Sequence, residues 1–180
     1  MRTQIALSAL LLAMPLAADG SERDTFGVQV RGSLPGGNIP DATGNQSVGL
    51  GASFLAELHF ESEVCARVLM GADSWRQKGG SGDRSVKAYH LGVEAVYFLR
   101  DEGNVQMGPY LVGGVAGVTW ALGADARADG KPLRVIHLGL TAGFGYRLNR
   151  YLDVELKALT GKVDVAFTGT ATTLGVTYRF

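Results

Sequence analysis

The chain has one cysteine, Cys65, and five prolines among its 180 residues. A single cysteine cannot form a disulfide within the chain, so Cys65 is either a free thiol or an intermolecular link. We expect it to be a small buried or wall-facing residue. Neither sign of charge is in excess, because 17 lysines and arginines balance 17 aspartates and glutamates. A formal net charge of zero gives no electrostatic basis for a nucleic-acid partner.

Long apolar runs are missing after the first twenty residues, so the sequence predicts no transmembrane helix. The early run, residues 5–16, is apolar except for one serine; it follows the positive charge of Arg2 and precedes several small residues. A short apolar run with these flanks predicts a secretory signal peptide, cleaved after Ala18 or Gly20.

The sequence therefore predicts a signal peptide over residues 1–20, followed by one mature domain over residues 21–180. Glycine is abundant at 26 residues, roughly twice its usual share, and 46% of the chain is apolar. The apolar residues alternate with polar ones and are not collected in blocks. Alternation with a period of two predicts β-strands with one apolar face, and therefore an all-β domain.

Eight segments show this alternation. In residues 48–59 the even-numbered positions are apolar, whereas the odd-numbered ones are mostly small or polar and include Glu57 and His59. The fifth segment cannot be assigned to faces, because residues 113–117 are small on both sides. The eight predicted strands are residues 26–31, 48–59, 64–71, 87–99, 105–121, 136–147, 152–159 and 173–180.

The predicted connections alternate between long and short. Long connections follow the first, third, fifth and seventh strands, at Leu34–Ser47, Trp75–Arg84, Leu122–Leu133 and Gly161–Gly169. This rhythm is typical of outer-membrane barrels, whose turns are short on the periplasmic side and longer outside. We therefore predict an eight-stranded antiparallel up-and-down transmembrane β-barrel with both termini in the periplasm.

The apolar strand faces oppose faces that carry charge, which favours lipid outside the barrel and a polar interior. An eight-stranded barrel is just wide enough inside for side chains, so the interior charges should pair and plug it. Arg67, for example, should lie between Glu57 and Glu94 on the flanking strands. The predicted interior network consists of Arg31, Glu57, Arg67, His90, Glu94, His137, Arg147, Glu155, Lys157 and Arg179.

Aromatic residues are predicted to form two girdles, as expected where strands leave the hydrocarbon region. The girdle at the short turns contains Phe60, Tyr97, Tyr146, Tyr151, Tyr178 and Phe180. The girdle at the long loops contains Trp75, Tyr89, Trp120 and Phe167.

The last eight residues form a clear amphipathic strand. Leu174, Val176, Tyr178 and Phe180 share its apolar face. The pattern resembles the C-terminal signal by which the barrel-assembly machinery of Gram-negative outer membranes recognises its substrates. The residues that carry this resemblance, and that we predict to act as an assembly signal, are Thr173, Gly175, Tyr178 and Phe180.

The signal peptide, the eight strands and the tail together resemble the superfamily of small outer-membrane barrels. It includes the outer-membrane protein X type and the membrane domain of outer-membrane protein A. The resemblance covers the mature chain but rests on pattern, since only the tail matches a short motif. It implies a monomer in the outer membrane of a Gram-negative bacterium, surrounded by outer-membrane lipids and lipopolysaccharide. It also implies surface loops open to an extracellular ligand, whose identity the pattern does not reveal.

One enzymatic alternative starts from Asp73 and Ser74, which resemble a pair in lipid A palmitoyltransferases. That family also needs a histidine in the first outer loop, where residues 34–47 have none, and His59 is predicted near the opposite end. Lipid A deacylases use a histidine and a serine two residues apart, and neither of the other two histidines has such a serine after it. Without these pairs we predict no catalytic residue. The three histidines also lack metal-ligand spacing, so we predict no metal and no cofactor.

The sequence therefore predicts a non-enzymatic outer-membrane barrel that acts structurally or through surface interactions of its short loops. Its predicted partners are the surrounding lipids, the assembly machinery and an extracellular ligand, and not nucleic acid. A lipid A-modifying enzyme and a narrow channel are the alternatives.

Overall fold

The computed structural model describes residues 25–43, 48–60, 63–76, 84–99, 106–126, 130, 132–164 and 167–180. The predicted signal peptide lies outside these residues. The strands are β1 (Thr25–Gly37), β2 (Gly49–His59), β3 (Val64–Arg76), β4 (Ser85–Phe98), β5 (Gly108–Leu122), β6 (Leu133–Asn149), β7 (Leu152–Asp164) and β8 (Phe167–Arg179). A four-residue helix, α1 (Ile39–Ala42), follows β1. Among the described residues, no helix has both the length and the apolar character needed to cross a membrane.

Each strand runs antiparallel to its neighbours in the chain, and β1 also pairs with β8, which closes the sheet into a barrel. The closing seam extends from Gly27, opposite Arg179, to Gly37, opposite Gly169. Closure gives every strand a partner on both sides, but the ladders differ in length: residues 133–138 of β6 pair with β5 and have no partner on the described residues of β7. The prediction of an all-β, eight-stranded antiparallel up-and-down barrel is confirmed.

Side chains alternate between the outside and the inside of the barrel, as the period-two pattern predicts. The apolar Leu50 on β2 and Leu138 on β6 are 74% and 71% exposed, whereas the charged Glu57 and Arg67 are each 1% exposed. On β5, whose faces the sequence left unassigned, Tyr110 points inward and is fully buried. The apolar face of this barrel is therefore its outer wall.

The first predicted loop, Leu34–Ser47, is wrong at its start, because β1 continues to Gly37. Residues 34–37 pair with β8, so the ladder holds their backbone even though Pro35 and two glycines interrupt the apolar alternation. A positive φ of 61° at Gly37, which glycine adopts without strain, then turns the chain toward α1.

The predicted loop Gly161–Gly169 is wrong. β7 runs to Asp164 and β8 begins at Phe167, so the connection shrinks to residues 165–166. The two glycines that bound the predicted loop pair directly with each other. Backbone pairing does not require apolar alternation, and the sequence pattern therefore ended both strands too early. The predicted rhythm of long and short connections fails at this hairpin.

Candidate functional site in the barrel interior

The barrel interior has two main layers along its axis, and a smaller apolar cluster lies at the end opposite α1, formed by Cys65, Val96, Phe98, Tyr110 and Val112. The apolar layer lies at the end near α1 and contains Ile39, Ala42, Trp75, Val86, Ala88, Ala116, Val118, Trp120, Leu122, Leu159 and Ala171. The ionic layer lies beyond it, toward the opposite end, and contains Arg31, Glu57, Arg67, Asp73, His90, Glu94, Arg147, Asp153, Glu155, Lys157 and Arg179. The expected polar interior is therefore wrong for the half nearest α1, where inward positions carry apolar side chains.

Two tryptophans form the centre of the apolar layer. Trp75 and Trp120 are fully buried and stack with ring centroids 6.4 Å apart and planes 22° apart. The indole N–H of Trp75 donates to the carbonyl oxygen of Ser33 at 3.2 Å. A Cβ at Gly49 or Gly169 would lie 2.5 Å from a tryptophan ring, so these glycines make room for the indoles. Both tryptophans face inward, and their predicted place in an outer girdle is wrong.

The helix α1 closes the apolar layer from the outside. Ile39 is fully buried in the cluster, and Ala42 packs beside it. The helix begins with Pro40 in its first turn, and the hydroxyl of Thr43 donates to the carbonyl oxygen of Ile39 at 2.9 Å. Part of the first loop, which was predicted to lie at the surface, thus forms one apolar helical turn that packs into the end of the barrel.

The ionic layer begins directly below Trp75, at Asp73, the preceding inward position on β3. Arg31 donates two hydrogen bonds to Asp73, from Nε at 2.9 Å and from Nη2 at 2.8 Å. The same guanidinium contacts Ser53 and lies 3.2 Å from Nε2 of His90. This paired geometry is the strong, directional form of a charge-assisted hydrogen bond.

Glu57 is the centre of the ionic layer. Its Oε1 accepts from Arg67 Nε at 2.9 Å and from Arg179 Nη2 at 2.7 Å. Its Oε2 accepts from Arg147 Nη2 at 2.7 Å. Arg147 and Arg179 also contact Asp153. One carboxylate therefore joins arginines from three different strands.

Glu155 links the remaining members. Its Oε2 accepts from Arg67 Nη1 at 2.6 Å and from the hydroxyl of Tyr110 at 3.1 Å. Lys157 bridges Glu155 at 3.2 Å and Glu94 at 2.9 Å. Arg67 thus contacts both predicted partners, with Glu94 at 3.4 Å and Glu57 closer.

The ionic layer is balanced in charge. Its described acids are Glu57, Asp73, Glu94, Asp153 and Glu155, and its described bases are Arg31, Arg67, Arg147, Lys157 and Arg179. Each of these ten has an opposite charge within 4 Å. Pairing of this kind offsets the large desolvation penalty of buried ions, and a balanced interior has no net attraction for either sign of ion.

The structure brings together nine of the ten residues predicted for the interior network and leaves His137 outside it. His137 is partly exposed and makes no hydrogen bond or ion pair within the described part of the chain. The prediction omitted Asp73, Asp153, Gln29 and Tyr110. Gln29 connects the two groups of charges, because it contacts both Arg31 and Glu155.

A triad-like arrangement occurs in the ionic layer. Ser53 Oγ lies 3.3 Å from His90 Nε2, and His90 Nδ1 lies 3.7 Å from Asp73 Oδ2. Arg31 contacts all three groups, so a cation faces the nitrogen that would act as the base. In addition, Ser74 is exposed on the outer wall while Asp73 points inward, which separates the pair that resembled a palmitoyltransferase. Arg31 thus joins Ser53, His90 and Asp73 to the hydrogen-bonded network of the ionic layer.

On the outer wall, the charged side chains that the structure describes are all positive. They are Arg76, Lys87 and Arg134, near the end where α1 lies. Lys87 and Arg134 stand at the same level, two strands apart on either side of Ala121. A depression of about 460 Å³ lies beside Lys87 and is lined mainly by Leu50, Ala52, Ala72, Ser74 and Tyr89.

Solved structures share this fold at low sequence identity. Neisserial surface protein A aligns with a TM-score of 0.55 and 15% identity over 87% of this chain and 97% of its own. Ail, the attachment invasion locus protein of Yersinia pestis, aligns over the same shares with a TM-score of 0.56 and 12% identity. The N-terminal β-barrel domain of OprF from Pseudomonas aeruginosa does so with a TM-score of 0.52 and 14% identity.

No protein-family model matches the chain, and no curated protein sequence matches it. At these identities the likeness establishes the fold alone. The predicted resemblance to small eight-stranded outer-membrane barrels is confirmed at that level.

Proposed function

We propose that the chain is an integral protein of the outer membrane of a Gram-negative bacterium. The outer wall supports this location, since Leu50, Leu138, Phe144 and Leu174 are each more than half exposed. Keeping apolar surface in water costs about 25 cal/mol per Å², and lipid acyl chains remove that cost. The fold shared with outer-membrane proteins supports the same location.

In the proposed orientation α1 faces the cell exterior, and the short connections and both termini face the periplasm. Exposed aromatic side chains support a periplasmic girdle at the short connections. They are Phe60, Tyr97, Tyr146, Tyr151, Tyr178 and Phe180. A belt of this kind is expected where barrel strands meet the membrane interface.

Lipopolysaccharide is the proposed lipid partner at the other end. Lys87 and Arg134 are about 10 Å apart, twice the spacing of neighbouring strands, and their charges suit the phosphates of its lipid A part. The depression between Leu50 and Tyr89 offers room for an acyl chain. The chain thus has a basic rim directly above an apolar wall, which is the pattern that an anionic lipid headgroup requires.

The proposed role is non-enzymatic, either structural or in surface interaction through the extracellular loops of a monomer. The observation that carries this role is the filled interior, with an apolar layer beneath α1 and a balanced ionic layer below it. A filled interior leaves the loop end and the outer wall for partners. Two proteins with this fold are described as a surface protein and an attachment protein, which supports an extracellular partner.

A planar lipid bilayer tests the filled interior against a narrow channel. We expect the purified protein to show no steady single-channel current, because Trp75 and Trp120 close the barrel above the paired acids and bases of the ionic layer. Protein-free detergent is the blank, and a porin in the same detergent is the positive control. A steady current of porin size would refute the plug, and a small reproducible current would favour the narrow channel.

Lipid A mass spectra test the enzymatic alternative. Expression of the protein in a suitable Gram-negative host is expected to leave the lipid A masses unchanged, because Arg31 occupies the one described serine–histidine–aspartate arrangement. An inactive barrel of the same size is the matched control. A new species that differs by one acyl chain would overturn the non-enzymatic role.

The assembly-signal prediction for Thr173, Gly175, Tyr178 and Phe180 becomes a proposal about β8. This strand pairs with both β1 and β7, so its addition closes the barrel. Tyr178 is exposed on its outward face and Phe180 is exposed directly after its last residue, where an assembly factor can contact them. Closure and recognition would then involve the same strand.

A further inference from the structure

The free cysteine Cys65 has unusual neighbours at the end of the barrel opposite α1. It is fully buried, and its direct cross-strand partner on β2 is His59. One ligand atom each from Cys65, His59 and Glu57 lie within 4.8 Å of one another. A thiolate and an imidazole together suit soft metal ions.

The imidazole of His59 is oriented for ligation. Its Nδ1 contacts the side-chain amide oxygen of Gln106, and an amide oxygen only accepts, so Nδ1 donates. Nε2 lies 3.5 Å from Glu57 Oε2 and 3.4 Å from Thr25 Oγ1, and a metal ion bound through the lone pair of Nε2 in the neutral ring would replace these contacts. A ring whose other nitrogen donates to an oxygen is the usual state of a metal-bound histidine.

The charges around the cluster favour a monovalent ion over a divalent one. Both oxygens of Glu57 already accept from guanidinium groups, those of Arg67, Arg147 and Arg179. A monovalent ion M⁺ that binds the thiol displaces its proton, R–SH + M⁺ → R–S–M + H⁺, and the charge of the site is unchanged. A divalent ion would add one positive charge among three arginines. The neighbourhood therefore disfavours zinc.

We propose that Cys65 and His59 form a two-coordinate site for a soft monovalent metal ion of the copper(I) type. With the metal–sulfur and metal–nitrogen lengths of zinc sites as a guide, about 2.3 Å and 2.0 Å, a linear arrangement places the ligand atoms about 4.3 Å apart, below the 4.8 Å limit within which the three atoms lie. Glu57 keeps its hydrogen bonds to the three arginines and is not a ligand of the metal ion. The imidazole of His59 is only 7% exposed and lies at the end with the short connections, so the ion enters from that end.

Silver(I), a redox-inert ion of the same charge and softness, is the probe. The folded protein in detergent micelles is titrated with silver(I), and the metal retained per chain after desalting is measured. We expect one ion per chain, with one sulfur and one nitrogen ligand by X-ray absorption. Cys65→Ser should abolish retention, and His59→Gln should weaken binding at least tenfold in competition with a thiol chelator. His137→Gln and Met107→Leu, which remove another histidine and a thioether, are controls expected to leave the affinity unchanged.

Three results would overturn the site: silver binding as tight in His59→Gln as in the wild type, zinc binding as tight as silver, or no retained silver. The first would leave a lone reactive thiol. A gel shift between unheated and boiled samples establishes that each variant is folded. If Cys65→Ser does not fold, Cys65→Ala replaces it, because alanine puts no polar atom in the buried position.

Discussion

Replacing Glu57 by glutamine is expected to lower the free energy of unfolding by about 3–5 kcal/mol, the cost of breaking a buried ion pair from one side. The substitution keeps the size of the side chain but removes the negative charge that faces Arg67, Arg147 and Arg179 at 2.7–2.9 Å. The balanced interior then has one excess positive charge. Urea unfolding in lipid vesicles, followed by the gel mobility of unboiled samples, measures the loss.

Glu63→Gln is the matched control, because it makes the same chemical change at an exposed position just before β3. It should alter the free energy of unfolding by less than about 0.5 kcal/mol. If Glu57→Gln costs no more than Glu63→Gln, Glu57 is not the centre of the ionic layer.

Trp120→Ala is expected to destabilise the barrel by a similar amount, about 3–5 kcal/mol, because it empties a large buried site in the apolar layer. Trp120 is fully buried against Trp75, and its ring fills the space left by the missing side chain of Gly169. The chain has two tryptophans, so the remaining one reports the change directly. Fluorescence-monitored unfolding in urea should show a lower midpoint and red-shifted emission from Trp75, which becomes hydrated.

Tyr89→Ala controls for the loss of an aromatic ring on the outer wall, where the side chain is 44% exposed. It should cost clearly less than Trp120→Ala. Gly169→Val tests the same packing from the other side, because its Cβ would lie 2.5 Å from the indole of Trp120, and overpacking typically costs about 1–3 kcal/mol. A Trp120→Ala loss below that of Tyr89→Ala would contradict the stacked apolar layer.

The fold could be predicted because alternate residues of a barrel strand face different environments, so apolar and polar side chains alternate along the sequence. Leu138 and its outward neighbours are apolar at every second position, and this parity survives in the structure. The same parity could have placed Trp75 inside, since it shares odd numbering with the inward Arg67. Trp120 lies in the segment where small residues on both faces hid the parity.

The contacts across the barrel could not be predicted from the sequence. Arg147 on β6 donates to Glu57 and not to Glu155. Glu155 would be the nearer choice by sequence, because on the neighbouring β7 it lies opposite Gly145, two residues before Arg147. Such contacts depend on strand tilt and on the reach of each rotamer across the interior, which the alternation does not record. The β7–β8 hairpin was missed for a different reason, because backbone pairing continues at Gly161 where the apolar alternation has ended.

Spin labels on the outer wall test most directly whether this wall contacts lipid while the ionic layer lies inside. Cysteine is introduced singly at Leu138, Leu140 and Phe144 in a Cys65→Ala background, labelled with a nitroxide and reconstituted into vesicles, with Arg150 as the exposed turn control. Collisions with oxygen, which concentrates in lipid, should exceed those with a water-soluble nickel chelate at the first three positions and not at Arg150. Higher nickel than oxygen accessibility at Leu138 and Phe144 would mean that the apolar wall faces water, and would contradict the membrane barrel.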